Sequence, residues 1–203
     1  MDFSLSEEQR MLQETVGKFV ADRYSLDQRK AYMAQSAGHD HAVAGELVDL
    51  GLTLVQIPEE QGGLGGDAFD ARAGGEALGP GLVLEPVMDV MTAVSALSGG
   101  RDDILEDGNS HTLGLYERGQ RYSLNPAITS VEGGKVSGTK TLVPHTAGTT
   151  HALVSAKENG QVGLYRVALS DAAVTVFNYP LQDGRPFADL QLDGAEAEKV
   201  DGI

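Results

Sequence analysis

The sequence predicts an α+β protein: an all-α helical domain over residues 1–108, then a small antiparallel β-barrel or sandwich domain over residues 109–203. Three observations predict it. Apolar residues recur at helical spacing through the first half. Beyond Asn109 the pattern changes to short alternating runs rich in Val, Thr, Leu and Tyr. Glycine-containing pairs then interrupt those runs where hairpins would turn. A chain of 203 residues has length for two such units.

Ser6 and Gln9 stand at capping-box spacing, and Glu7 and Glu8 favour the positive end of a helix dipole, so a helix is expected from Glu7 to Tyr24. Met11, Leu12, Val16, Phe19 and Val20 form its apolar stripe. A second helix is expected from Asp27 to Gln35 and a third from His41 to Leu50, where Gly51 supplies the stop. Leu52 to Pro58 reads as a short extended run closed by the glycine-rich turn Glu59 to Gly66. Asp67 would cap a fourth helix reaching Leu78, and a fifth is expected from Leu82 to Leu97 with Pro86 in its first turn. Strands are expected at His111–Glu117, Ala127–Glu132, Lys135–Val143, His151–Lys157, Gly163–Ala168, Val174–Asn178 and Phe187–Leu192. Glu132-Gly133-Gly134-Lys135 and Glu158-Asn159-Gly160-Gln161 read as hairpin turns.

Composition excludes several function classes. With 30 acidic against 15 basic residues the formal net charge is −15, so neither a nucleic acid nor an anionic membrane surface is an expected partner. The absence of Cys excludes disulfides, thiolate metal sites and a cysteine nucleophile, and it suits a reducing compartment. The opening MDFSLSEEQRML has no basic-then-apolar leader pattern, and no run of about 18 apolar residues occurs, so a soluble, cytoplasmic protein is expected.

The metal-like cluster His39-Asp40-His41 would diverge at a helix start and reads as a cap, and no metal ligands are assigned. His145 and His151 are likewise not assigned as ligands. Gly62 to Gly66 lacks the Lys and Ser/Thr of a phosphate loop and reads as a structural turn. No serine sits in a nucleophile elbow, so a hydrolase has no support.

Three stretches, in order, resemble the acyl-CoA dehydrogenase family. They are Met1 to Leu12, Leu50-Gly51-Leu52 followed by Ile57 to Gly65, and Lys135 to Lys140 followed by Ala152 to Ala156, where a strand enters a G-x-K turn. The resemblance implies an N-terminal helical domain, a middle β-domain and a C-terminal helical bundle, with FAD between the last two. It implies α,β-dehydrogenation of an acyl-CoA, with a carboxylate base taking the α proton and the flavin taking the β hydride. By resemblance that base belongs to the bundle, so the chain is expected to be a fragment without it. No catalytic residue is named, and the chain alone is expected to be inactive.

By the same resemblance Leu115 and Tyr116 would face the flavin, and Arg121, Tyr122 and Ser123 would border the acyl pocket. The family's Thr-Glu-Pro is replaced by Tyr116-Glu117-Arg118. Leu142, Val143 and Pro144 take the place of Trp-Ile-Thr, whose Thr would hydrogen-bond the flavin. Proline offers neither a hydroxyl nor an N–H there. The implied function is an FAD-dependent acyl-CoA dehydrogenase of fatty acid metabolism. The alternative is a non-catalytic partner subunit, or an acyl- or CoA-binding module, of a hetero-oligomeric dehydrogenase. An acyl-CoA substrate, a homo- or hetero-oligomer and an electron-transfer partner are the implied associations. Apolar stripes on the Leu82–Leu97 helix and around Val143 are expected to be exposed and to drive self-association.

Overall fold

The computed structural model describes residues 4–97, 111–120, 123–144 and 149–200. The predicted boundary near Asn109 lies outside them.

Among the described residues five α-helices precede the strands: α1 (Glu7–Arg23), α2 (Leu26–Met33), α3 (His41–Asp49), α4 (Ala68–Leu78) and α5 (Val87–Leu97). Local chemistry fixes their starts. The Ser6 hydroxyl accepts from the Gln9 N–H at 3.1 Å while the Gln9 side chain accepts from the Ser6 N–H at 3.0 Å. Ser25 and Gln28 repeat that box on α2, and Asp67 and Asp70 repeat it on α4. Asp40 caps α3 by accepting from Ala42 and Val43, as its place before the helix predicts. The neighbouring His39 is buried rather than solvated. Asp67→Ala should lower stability by about 1 kcal/mol. Chemical denaturation would show this as a lower midpoint at unchanged slope, and an unaltered midpoint would refute it.

Leu52 to Pro58 is not extended. Gly51 adopts φ 74°, and the N–H groups of Leu54, Val55 and Ile57 each bond a carbonyl three residues back. The run has no single buried face, since Leu52 and Thr53 are buried side by side and Val55 and Ile57 beyond them, and its backbone is held by these three-residue turns rather than by a neighbouring strand. The glycine-rich segment then folds back, with Gly63, Gly65 and Gly66 donating to Pro58, Ile57 and Val55. The fifth helix starts later than expected, because Leu82 has φ 48° and Pro86 lies just outside α5, accepting from Val90 at 2.9 Å. No helix among the described residues is long and apolar enough to cross a membrane.

Seven strands follow among the described residues: β1 (His111–Gly114), β2 (Ser130–Glu132), β3 (Lys135–Pro144), β4 (His151–Glu158), β5 (Gln161–Ala168), β6 (Val174–Pro180) and β7 (Pro186–Lys199). Both predicted hairpin turns form. Gly133-Gly134 and Asn159-Gly160 hold φ of +55°, +77°, +52° and +82°, the positive pairs a tight hairpin needs. The sheet is mixed rather than antiparallel throughout, because β1 and β2 both run parallel to β4. It closes into a barrel. On β4, His151–Val154 pair with β1 and Lys157 with β2, while β5 runs along the opposite edge. The long β7 carries β3 on one edge and β6 then β5 on the other.

Val131, Val136, Val143, Val154, Tyr165, Leu190 and Leu192 fill the barrel. A second core joins Val16, Val20, Leu47 and Leu52 among the helices. A third spans both halves, packing Ile57, Ala93, Val94 and Leu97 against Leu153 and Val200. The expected exposed stripes are present in part: Val143 itself is fully buried, but its neighbour Leu142 is 45% exposed, and over residues 82–97 Leu82 and Met88 are 65% and 41% exposed. The Arg29 guanidinium donates to the Leu82 carbonyl at 2.8 Å within the helical half and, across the same junction, to the Asp183 carbonyl at 2.7 Å. Met33 lies against Gly184 in the β6–β7 hairpin, where an added Cβ would fall 2.2 Å from its terminal methyl.

Candidate functional site

Where β1 leaves β4 it crosses toward β3, and a buried ion pair sits at that crossing. Alternation along β3 turns Val136, Lys140 and Val143 inward, so Lys140 occupies a core position. Its Nζ lies 3.3 Å from Glu117 Oε1 and donates to Ser155 Oγ at 3.0 Å. The Ser155 hydroxyl donates in turn to the Leu115 carbonyl at 3.1 Å. The Lys140 and Glu117 side chains are 0% and 1% exposed.

Glu117 also accepts from the N–H groups of Ala127, Ile128 and Thr129 at 2.7, 2.9 and 3.0 Å. These bonds explain two departures from the predicted strands. Residues 127–129 point their donors at a carboxylate rather than a neighbouring strand, so β2 starts only at Ser130, and β1 stops at Gly114. Burial pushes the Glu117 carboxyl up, but the Thr129 side chain and the three N–H groups outweigh it and bring it down to about 2. Burial lowers Lys140, and the Glu117 charge opposes that.

A second network lies beside it. The hydroxyls of Thr141 and Tyr179 donate to Asp189 Oδ1 at 2.6 and 2.8 Å, and the Leu142 N–H donates to the Tyr179 oxygen at 3.2 Å. Burial raises the Asp189 carboxyl, but the two hydroxyls prevail and hold it below the usual range. The β3–β7 register shifts between Lys140 and Val143, and Leu142 there takes φ +53° with its side chain 45% exposed. Gly138-Thr139-Lys140 therefore lies within a bulged strand, not in a turn.

The structure brings Leu115 and Tyr116 beside this segment, since the Thr141 N–H donates to the Tyr116 carbonyl at 2.9 Å and Tyr116 is half-exposed. Val143 turns its side chain into the barrel core. Pro144 pairs with Phe187, and its carbonyl accepts from the Thr112 hydroxyl. Ser123 forms a local turn with Asn125 through its hydroxyl. Arg121, Tyr122 and His145 lie outside the described residues. Among the described residues no three His, Asp or Glu side chains gather as a metal site.

The exposed Leu142 and Tyr116 fit a flavin as an apolar wall. The segment does not fit the hydrogen bond expected at Pro144, because proline has no N–H and the Leu142 N–H already serves Tyr179. Glu117, Lys140, Asp189 and Tyr179 were not singled out from the sequence as a network. The one local signal was Lys140, a charged residue at an inward position of β3.

Comparison with known proteins agrees with this architecture. Residues 6–102 match the model of the acyl-CoA dehydrogenase N-terminal domain. Residues 6–102 therefore carry the N-terminal domain of the acyl-CoA dehydrogenase family. It is 36% identical over 105 residues to acyl-CoA dehydrogenase IpdE2 of Mycolicibacterium smegmatis, covering 51% of this chain and 34% of that protein. It is 30% identical over 137 residues to IpdE2 of Mycobacterium tuberculosis, covering 65% of this chain and 43% of that protein. The chain thus spans less than half the length of these acyl-CoA dehydrogenase relatives. The ChsE4-ChsE5 complex from Mycobacterium tuberculosis shares the fold with a TM-score of 0.85 at 22% identity, over 100% of this chain and 59% of that one.

Proposed function

We propose that this chain is a subunit of an oligomeric acyl-CoA dehydrogenase that oxidises the α and β carbons of an acyl-CoA with FAD. Within that assembly it is the partner that leaves the flavin's hydrogen bond to another subunit. The observation that carries this reading is the donor-poor segment Leu142 to Pro144, in which one N–H is engaged by Tyr179 and the proline has none. The likeness to a two-component complex supports the partner role. The division into residues 1–108 and 109–203, an electron-transfer partner and a cytoplasmic location belong to the same reading. The half-exposed Leu142 favours a second reading, in which this chain itself covers a flavin face as an apolar wall.

Flavin absorbance of the full-length protein, purified alone and co-expressed with a partner subunit, separates the two readings. The first expects a colourless protein alone and flavin retained only by the pair. Stoichiometric FAD on the isolated chain, together with turnover of an acyl-CoA, would overturn it in favour of the second.

A further inference from the structure

Leu142 combines two features that its strand disfavours. Strict alternation from Val136 through Lys140 would turn it inward, yet its side chain is 45% exposed. Its φ of +53° lies in the left-handed region, where the Cβ of a leucine is sterically penalised. Both features come from one bulge. Lys140 pairs with Leu190 and Val143 with Ala188, so two residues of β3, Thr141 and Leu142, stand opposite one residue of β7, Asp189. The extra residue takes Leu142 out of the inward row and returns Val143 to the core.

A strained residue persists where its surroundings over-determine it, and such residues gather at ligand sites. Here Asp189 and Tyr179 supply the surroundings. Asp189 Oδ1 accepts from the Thr141 hydroxyl at 2.6 Å and from the Tyr179 hydroxyl at 2.8 Å. The Tyr179 oxygen, coming from β6 beyond β7, accepts the Leu142 N–H at 3.2 Å. Arg118 Nη2 lies 3.5 Å from the other Asp189 oxygen, and the Thr141 N–H donates to the Tyr116 carbonyl at 2.9 Å. Each backbone donor of the bulge is thus engaged, while the leucine side chain it turns out stays half-exposed beside the half-exposed Tyr116.

We propose that Tyr179 and Asp189 are positioning residues that hold Leu142 in its outward, left-handed conformation and so present its side chain as the apolar wall of the flavin. The proposal rests on the reading that Leu142 covers a flavin face. Tyr179 and Asp189 act through Leu142 and are assigned no contact with the flavin. Leu142 is then kept for binding at the expense of stability, because an exposed leucine at positive φ contributes strain and no core packing.

The full-length protein is titrated with FAD by flavin fluorescence, in whichever form retains flavin, alone or paired with a partner subunit. Leu142→Asn tolerates positive φ but shows no apolar wall, so it should melt no lower than the parent chain and bind FAD about tenfold more weakly. Tyr179→Phe keeps the ring but offers the Leu142 N–H no oxygen, and should also bind about tenfold more weakly, the worth of one hydrogen bond. In that variant the Leu142 amide should exchange with solvent at least about tenfold faster. Asp189→Ala should follow Tyr179→Phe, whereas Asp189→Asn keeps an acceptor for both hydroxyls and should stay within about threefold of the parent. The double variant of Tyr179→Phe with Leu142→Asn separates positioning from an independent contact. It should bind no more weakly than Leu142→Asn alone, because both changes act through one side chain. Parent-like FAD binding by Tyr179→Phe, unchanged Leu142 exchange, or additive losses of about a hundredfold in the double variant would each overturn the positioning role. A parent protein that binds no FAD in either form is a different failure: it overturns the reading of Leu142 as a flavin wall, and the proposal with it.

Discussion

Glu117→Ala is expected to destabilise the protein by about 3–5 kcal/mol, because it strands an ammonium in the barrel core. Lys140 is 0% exposed, and its remaining neighbour, Ser155, already donates to Leu115. The same change orphans the N–H groups of Ala127, Ile128 and Thr129. Lys140→Met should cost less, since Glu117 would keep those three donors and the methionine fills the space apolarly. The double variant Glu117→Gln with Lys140→Met should recover part of the single losses, because replacing both partners of a buried pair removes the unpaired charge.

Acid gives a second readout. The folded carboxyl lies near 2 and the free one near 4.5, so the folded state holds the proton less readily than the unfolded chain. The resulting stabilisation, about 3 kcal/mol at most, is present above about pH 4.5 and disappears as pH falls toward 2. Chemical denaturation of the parent chain and Glu117→Gln should therefore converge in acid and diverge at neutral pH. A loss below about 1 kcal/mol for Glu117→Ala, or a constant gap across that window, would show that the pair is not what holds this crossing.

Gly63→Ala is expected to be almost as damaging. A Cβ at this position would sit 2.2 Å from the Ile57 carbonyl oxygen and 2.3 Å from the Ile57 Cβ. These are atoms of a backbone turn and a fully buried residue, so neither can swing aside. We expect a cost of about 3 kcal/mol, above the usual range for a surface-loop change. Gly51→Ala is a suitable comparison, because it meets only Leu64 at 3.5 Å and bears the strain of φ +74° alone, about 1 kcal/mol. Thermal melts that ranked Gly51→Ala as the more harmful change would contradict the steric account.

What could be read from the sequence divides by the range of the interaction. Ser6, Ser25, Asp40 and Asp67 announce helix starts because their partners lie two or three residues away. Gly133-Gly134 and Asn159-Gly160 announce hairpins for the same reason. Leu52 to Pro58 misled because a short apolar run has no period of its own; Gly51 and the returning glycine segment decide it. The parallel pairing of β1 with β4 joins residues 40 apart and leaves no local trace, as with Ser155 and Leu115. At the candidate site the missing N–H of Pro144 was legible. The tie between Leu142 and Tyr179 was not, because a strand bulge created it.

The clamp made by Arg29 concerns the order in which this chain can acquire its shape. Its second carbonyl partner, Asp183, lies 154 residues downstream. During synthesis α2 therefore emerges long before the hairpin that fixes it, and closing so large a loop is an entropic cost that early local contacts cannot cover. The helices can collapse on their own core first. Arg29 can bond the Leu82 carbonyl at that stage, but its Asp183 partner must wait for the β6–β7 hairpin, so the seam between the two halves is sealed late in folding.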